Sequence, residues 1–331
     1  MAEGSKIEWT DDTWNPVTGC SVVSAGCTNC YAMKLAGGRM QHHPSRKRLT
    51  DPSKAGPVWN GKVRFNEDWL DRPLRRRKPR RIFVCAHGDL FHDNVPNQWI
   101  DRVFAVMALS PQHSFQVLTK RPERMRAYLS DMPRCMACWG NHATDLLDNY
   151  VKAAGRKPGW PLPNVWLGVS VEDQATADER IPVLLDTPAA LRFISAEPLL
   201  GPVDLWDIRP NRYPPSGWSW NPMKGFKMHY SNSRIVDAPR LDWVIAGGES
   251  GPGSRPAHPD WFRKLRDECV REGVPFFFKQ WGDYLPAGQQ MADGRLWDPS
   301  CGSRLRGVKK LTGRMLDGVT HDAMPEGRAD G

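Results

Sequence analysis

Val165-Trp166-Leu167-Gly168-Val169-Ser170-Val171-Glu172-Asp173 is the stretch on which the fold turns. Five apolar residues pass without a break into hydrogen-bonding and charged side chains, which reads as a buried parallel strand whose carboxyl end opens onto solvent or a ligand. The pattern recurs in Ile82-Phe83-Val84-Cys85-Ala86, Phe115-Gln116-Val117-Leu118, Leu191-Arg192-Phe193-Ile194, Trp243-Val244-Ile245-Ala246 and Val274-Pro275-Phe276-Phe277-Phe278. Between these runs lie amphipathic stretches. Ile100, Val103, Phe104, Met107 and Ala108 keep helical spacing, as do Phe262, Leu265, Cys269 and Val270 behind a helix start near Pro259-Asp260. Six or seven strand and helix units imply a parallel α/β architecture, either an open or partial (β/α) barrel or a doubly wound sheet, which periodicity does not separate.

Ligands of parallel α/β folds bind at the carboxyl ends of the strands, so the residues just after each apolar run form the candidate site. They are His87-Gly88-Asp89-Leu90-Phe91-His92, Thr119-Lys120-Arg121, Ser170-Val171-Glu172-Asp173, Ser195-Ala196-Glu197-Pro198, Gly247-Gly248-Glu249-Ser250 and Lys279-Gln280-Trp281. The candidate cofactor-binding residues drawn from them are Asp89, Thr119, Lys120, Ser170, Glu172, Glu197, Gly247, Gly248, Glu249 and Lys279. Carboxylates interleaved with lysine and arginine suit a zwitterionic amino-acid moiety and ribose hydroxyls. Gly247-Gly248 lets the backbone approach a ligand closely or adopt positive φ. Neither a Walker A loop nor a Gly-x-Gly-x-x-Gly fingerprint occurs in a strand-to-helix setting, which disfavours nucleotide triphosphatase and nicotinamide chemistry.

Cys20, Cys27 and Cys30 supply the candidate metal ligands. Three thiolates on one short loop suit a soft metal or an iron–sulfur cluster. A structural zinc site is closed by a fourth protein ligand, whereas three cysteines leave a coordination position open to a small molecule. Of the other five among the eight cysteines, Cys85 and Cys269 lie in apolar segments and read as core, and Cys301 as a surface loop residue. Cys135 and Cys138, with His142, have partial zinc-ligand spacing without an obvious fourth ligand.

At 331 residues and 40% apolar composition the chain suffices for one large α/β domain or two smaller ones, with a real core. Residues 1–285 are read as that single barrel-like domain, with a cluster loop at 14–32 and insertions at about 130–163 and 202–240, and residues 286–331 as a C-terminal cap or tail. The formal net charge is +9, and Arg72, Arg75, Arg76, Arg77, Lys78, Arg80 and Arg81 concentrate positive charge in 72–81, which makes nucleic acid the first partner to consider. The start of the chain lacks an apolar signal core, and nowhere are there eighteen consecutive apolar residues. A cytoplasmic protein without a membrane partner is expected.

Ile7-Glu8-Trp9-Thr10, Thr13-Trp14-Asn15-Pro16-Val17-Thr18-Gly19-Cys20 and Gly26-Cys27-Thr28-Asn29-Cys30-Tyr31-Ala32 resemble the opening of the phage- and prophage-associated three-cysteine-motif family, itself similar to radical S-adenosylmethionine (SAM) enzymes and, more distantly, to spore photoproduct lyase. The likeness continues through Leu118 to Pro122, Leu167 to Glu172, Arg192 to Gly201, Ala246 to Gly251 and Gly313 to Gly318. It implies a partial (β/α) barrel of about six parallel strands and a 4Fe–4S cluster on Cys20, Cys27 and Cys30. SAM would bind the open iron, and its reductive cleavage would give a 5′-deoxyadenosyl radical that takes a hydrogen from the substrate. Ser170 and Glu172 would then contact ribose or amino acid, and Asp89 lies where the second strand's SAM-binding motif falls. An external electron donor and a phage- or operon-encoded partner protein follow from the same likeness. The first cysteine gap is six residues rather than the usual three, and Tyr31 follows the last cysteine rather than preceding it. The leading reading is a radical SAM-like enzyme modifying or repairing a nucleic acid base or nucleotide. The alternative is a nucleic-acid-binding protein with a structural metal centre and no SAM chemistry, and a third reading directs the same enzyme at a protein or small metabolite.

Overall fold

The computed structural model describes residues 4–131, 159–210, 217–229 and 231–326. Seven strands form its main sheet: β1 (Asp12–Trp14), β2 (Arg81–Val84), β3 (Ser114–Thr119), β4 (Val165–Ser170), β5 (Leu191–Ala196), β6 (Trp243–Gly247) and β7 (Phe276–Gln280). All are parallel and hydrogen-bonded in chain order, β1 to β7. A doubly wound sheet reverses its strand order at a switch point and so receives helices on both faces. No reversal occurs here, so right-handed crossovers place the helices on one face, and the sheet is an open half-barrel. Of the helices α1 (Tyr31–Gly37), α2 (Asn97–Ala108), α3 (Pro122–Leu129), α4 (Gln174–Leu185) and α5 (Pro259–Glu272), the last four cover that face, whereas α1 packs Ala32, Met33 and Ala36 against Leu49 and Trp59.

Side chains alternate across the strands, and the two faces build separate clusters. Val84, Val117, Leu167, Val169, Ile194, Val244 and Phe278 pack with Phe104 and Met107 of α2, Ile181 and Leu184 of α4, and Phe262 and Leu265 of α5. On the concave face Phe83, Trp166, Phe193, Trp243, Ile245 and Phe277 gather with Trp9. The Trp243 ring lies 5.7 Å from Phe193, 6.1 Å from Trp166 and 6.2 Å from both Trp9 and Phe277 between centroids, three of these contacts being edge-on. Gly168 makes room for this plug, since a Cβ there would stand 2.5 Å from the Phe193 ring. Further along the same alternation come Ser170, Ser195, Gly247 and Lys279, so the concave side changes from aromatic to polar toward the carboxyl ends.

Both helical stretches read from periodicity are present, as α2 and α5, with one correction. Val270 is 72% exposed, while Glu268 is buried with its carboxylate accepting from the Leu205 amide at 3.1 Å and Lys264 Nζ at 2.6 Å. Eight residues beyond Phe262, Val270 lies about 80° around the helix, off the stripe that Phe262, Leu265 and Cys269 present. Strand β1 escaped the reading because three residues, Asp-Thr-Trp, carry no apolar run. Cys85 and Cys269 are buried and Cys301 is exposed. The segment 202–240, expected to show little regular pattern, contains a three-stranded antiparallel sheet of Trp218–Asn221, Phe226–His229 and Ile235–Asp237. Cys135, Cys138 and His142 lie outside the described residues.

The tail returns to the barrel. The Phe278 amide donates to the His321 carbonyl at 2.9 Å, covering part of the open edge of β7, and Asp317 receives Arg263 at 2.6 Å and Arg266 at 2.7 Å from α5. Among the described residues no helix is long and apolar enough to cross a membrane.

Candidate functional site at the carboxyl rim

The cysteine loop lies across the carboxyl ends of the strands, held by side chains that follow β3, β4 and β6 and by a backbone carbonyl that follows β2. Arg121, just after β3, reaches Ser21 Oγ at 2.7 Å and approaches Cys20 Sγ at 3.7 Å. Glu172, just after β4, accepts from Ser24 Oγ at 3.0 Å. Glu249, just after β6, accepts from Asn29 Nδ2 at 3.0 Å, and Arg255 donates to the Ala25 carbonyl at 2.9 Å. The Tyr31 hydroxyl donates to the Ala86 carbonyl after β2 at 2.6 Å, and Lys34 reaches the Pro252 carbonyl at 2.6 Å. Gly19 sits so tightly on the neighbouring chain that a Cβ would stand 2.2 Å from the Lys62 carbonyl oxygen, and its φ of +98° is itself glycine territory. Gly26 lies against Glu172, whose Cγ would be 2.5 Å from an added Cβ.

The strand-end candidates resolve into four linked groups. Asp89 is almost wholly buried and accepts from the Thr119 hydroxyl at 2.8 Å, the Phe91 amide at 2.9 Å and Arg121 Nη1 at 2.9 Å, so it aims Arg121 at the loop. Glu172, fully buried, accepts from Lys120 and from Arg180 of α4 at 3.1 Å. Glu197 pairs with Lys279 at 3.0 Å and accepts from Ser195 Oγ at 3.1 Å. Glu249 binds Arg255 through both oxygens, at 2.6 and 2.9 Å. Ser170 is buried beside Glu172, and its carbonyl accepts from Arg180 at 2.8 Å. Neither Gly247 nor Gly248 takes a positive φ. The close approaches they permit are to the protein: an added Cβ would meet Glu197 Oε1 at 2.6 Å from Gly247 and the Trp281 carbonyl oxygen at 2.0 Å from Gly248.

Arg255, Arg180, Ser21, Ser24 and Asn29 complete these groups and carried no signal of their own in the sequence. Charge separation within the groups is sharp. Burial alone would raise Glu249, but hydrogen bonds from Arg255 and Asn29 more than offset it and hold the carboxyl below its usual range. Burial, with Asp89 adding to it, pushes the Cys20 thiol up to about 12 against the pull of Arg121.

His87 is shifted the other way. Burial, and the Arg46 guanidinium in contact with its ring, lower it to about 4 from an ordinary 6.5. Between those values the unfolded chain binds the extra proton, so stability falls as the pH drops from about 6.5 toward 4. The contribution is bounded at about 3 kcal/mol. A His87→Asn variant is expected to flatten this part of the stability profile in denaturant titrations at stepped pH, and parallel profiles for variant and parent would exclude the effect.

Cys20, Cys27 and Cys30 are free thiols. Among the described residues no three histidine, cysteine, aspartate or glutamate side chains are disposed to hold a single metal ion. A four-iron cube is a larger body whose cysteine ligands stand further apart than those of one ion. The donor set of three thiols from one loop, backed by an arginine, suits such a cluster better than a closed zinc site.

The basic run 72–81 is elsewhere. Arg81 opens β2 and pairs with Asp11 at 2.9 Å, so the run enters the sheet at its amino end, the end opposite the cysteine loop. Arg75 pairs with Asp71 at 2.5 Å, and Arg72 lies over the Trp69 ring at 5.0 Å.

Fold and rim together define a class: an open parallel (β/α) half-barrel with a three-thiol loop fastened over the carboxyl ends of its strands. The chain belongs to the family described as Protein of unknown function (DUF5131), which matches residues 4–325. No curated protein and no solved structure matches it.

Proposed function

We propose that this protein is an iron–sulfur enzyme of the radical SAM kind, of phage or prophage type, acting on a nucleic acid base or nucleotide. One observation carries the reading: three free cysteines on a single loop are seated, by side chains that follow three strands and a backbone carbonyl that follows a fourth, above the polar end of a half-barrel whose other end is plugged with aromatic rings. Cys20, Cys27 and Cys30 would hold a 4Fe–4S cluster with one iron open. When loaded, such a cluster supplies the electron that cleaves SAM to a 5′-deoxyadenosyl radical.

The residues of the chain bind, orient and exclude water. Arg121 and Glu172 fix the two arms of the loop. Lys279 and Glu197, paired and both partly accessible, present a cation and a carboxylate to the carboxylate and amino groups of an amino-acid moiety. The aromatic plug closes the far end of the concave face and keeps bulk water from entering there. Asp89 is a positioning residue, because its oxygens already serve Thr119, the Phe91 amide and Arg121.

Anaerobic reconstitution with iron and sulfide tests the proposal. The protein is expected to take up iron with a brown absorbance, to show an electron spin resonance signal that changes on adding SAM, and to release 5′-deoxyadenosine on reduction. Alanine at Cys20, Cys27 or Cys30 is expected to abolish all three. Zinc without iron after anaerobic purification, with no 5′-deoxyadenosine, would replace this reading with a structural metal centre.

A further inference from the structure

Beside the cysteine loop lies a cavity of about 510 Å³ whose lining includes Arg48, Lys62, Arg64, Asn60, Asn94 and Trp99. Among the described residues no carboxylate lines it. Its floor is continuous with the loop: the Gly61 amide donates to the Cys20 carbonyl at 3.1 Å, and the Lys62 carbonyl is the group that Gly19 packs against.

The charges in this cavity are not spent on the protein. Arg64 donates to the Pro44 carbonyl and, at 2.8 Å, to the Lys47 carbonyl, contacts that fix its guanidinium without neutralising it. Among the described residues neither Arg48 nor Lys62 has a side-chain hydrogen bond or ion pair, and Arg48 is held at a φ of +63°, with its carbonyl accepting from Asn60 at 3.3 Å. Two acids stand outside the lining: Asp51 accepts from Asn60 at the cavity's edge at 3.0 Å, and Asp93 pairs with Arg121 at 3.7 Å. Trp99 is stacked on Phe65, with 5.2 Å between centroids, and adds a fixed aromatic surface.

We infer that this cavity, beside the cysteine loop, is a subsite for a nucleotide unit, with its phosphate on Arg48, Lys62 and Arg64 and its base against Trp99. Three cations without a carboxylate select a phosphate, a volume within the usual range for small-ligand pockets fits one nucleotide, and an aromatic surface beside amide groups suits a base. This rests on the function proposed above and deepens it, moving nucleic acid recognition from the 72–81 run to Arg48, Lys62 and Arg64.

Binding of a fluorescent single-stranded oligodeoxynucleotide of about twelve nucleotides, and of thymidine 5′-monophosphate, to the full-length protein tests it. A variant carrying both Arg48→Gln and Lys62→Gln is expected to bind at least one of the two probes about tenfold more weakly, with a salt dependence shallower by about one unit per cation removed. Lys62→Arg should retain the parent affinity, and since both side chains are exposed the melting temperature should not move. Dependence seen with the monophosphate alone makes the ligand a free nucleotide, and with the strand alone a polynucleotide; either supports the subsite. Unchanged affinity for both probes in the double variant overturns it, as does binding that depends on Arg77 and Lys78 instead. Iron content and 5′-deoxyadenosine release on the same preparations separate the two levels. Strand binding through Arg48 and Lys62 without iron keeps the subsite and removes the enzyme, whereas SAM cleavage with probes indifferent to both residues does the reverse.

Discussion

Replacing Glu172 with alanine is expected to destabilise the protein by about 3–5 kcal/mol and to lower its melting temperature on the order of 5–10 °C. The carboxylate is fully buried and is the shared partner of Lys120, Arg180 and Ser24. Arg180 is 4% exposed in its side chain and its Nε already lacks a hydrogen-bond partner, so deletion would leave a nearly buried guanidinium with the Ser170 carbonyl as its remaining described contact. Breaking a buried pair from one side is costly for that reason, whereas exposed pairs are worth little. Glu67→Ala, which removes the solvent-facing partner of Arg102, should stay within about 1 kcal/mol. Glu172→Ala should also free the Ser24 arm of the cysteine loop and speed alkylation of Cys27. Denaturant titration giving less than about 1 kcal/mol for Glu172→Ala would show that the network is not coupled as its geometry implies.

Gly248→Ala is the second large effect, with an expected cost of about 3 kcal/mol. The new methyl would meet the Trp281 carbonyl oxygen at 2.0 Å and its carbon at 2.6 Å, backbone atoms that cannot swing aside. Trp281 is itself fixed, buried to 1% exposure with its indole donating to the Met315 carbonyl at 2.8 Å. The chain must therefore part where the Gly248 amide donates to the Gln280 carbonyl at 2.9 Å, separating β6 from β7 at the rim. Glu249 moves with it, and with Glu249 the hold on Asn29. Gly159→Ala, where among the described residues nothing lies within 4 Å and φ is ordinary, is the matching control and should change stability by less than about 0.5 kcal/mol. Equal urea midpoints for the two variants would remove the close-packing account of this glycine.

Six of the seven strands were legible because burial on both faces forces a continuous apolar run, and a run of that kind survives without knowledge of its neighbours. Strand β1 was not, since Asp12 and Thr13 are accommodated by neighbours distant in the chain. The choice between barrel and doubly wound sheet depends on strand order, which no local pattern encodes. At the site, the residues that follow the strands were legible from the rule that parallel sheets present their carboxyl ends, and Asp89, Thr119, Lys120, Glu172, Glu197, Glu249 and Lys279 do meet partners there. Which partner each takes was not. Asn29 meets Glu249 across 220 positions and Arg255 meets Ala25 across 230, and charge spacing along a chain does not report such pairings. Arg48 belongs to the basic stretch Arg46-Lys47-Arg48 that is legible as charge density, whereas Lys62 stands alone in the sequence and joins it only through the fold.

The anchoring of the cysteine loop sets an order of events during synthesis. Residues 20–30 leave the ribosome before the groups that fasten them, which arrive with residues 86, 121, 172, 249 and 255. Contacts of such long range form late, after most of the sheet has assembled. The cysteine segment is thus translated ahead of the groups that fasten it, and a chain halted before residue 249 would carry all three thiols on a loop not yet tied at Asn29 and Ala25.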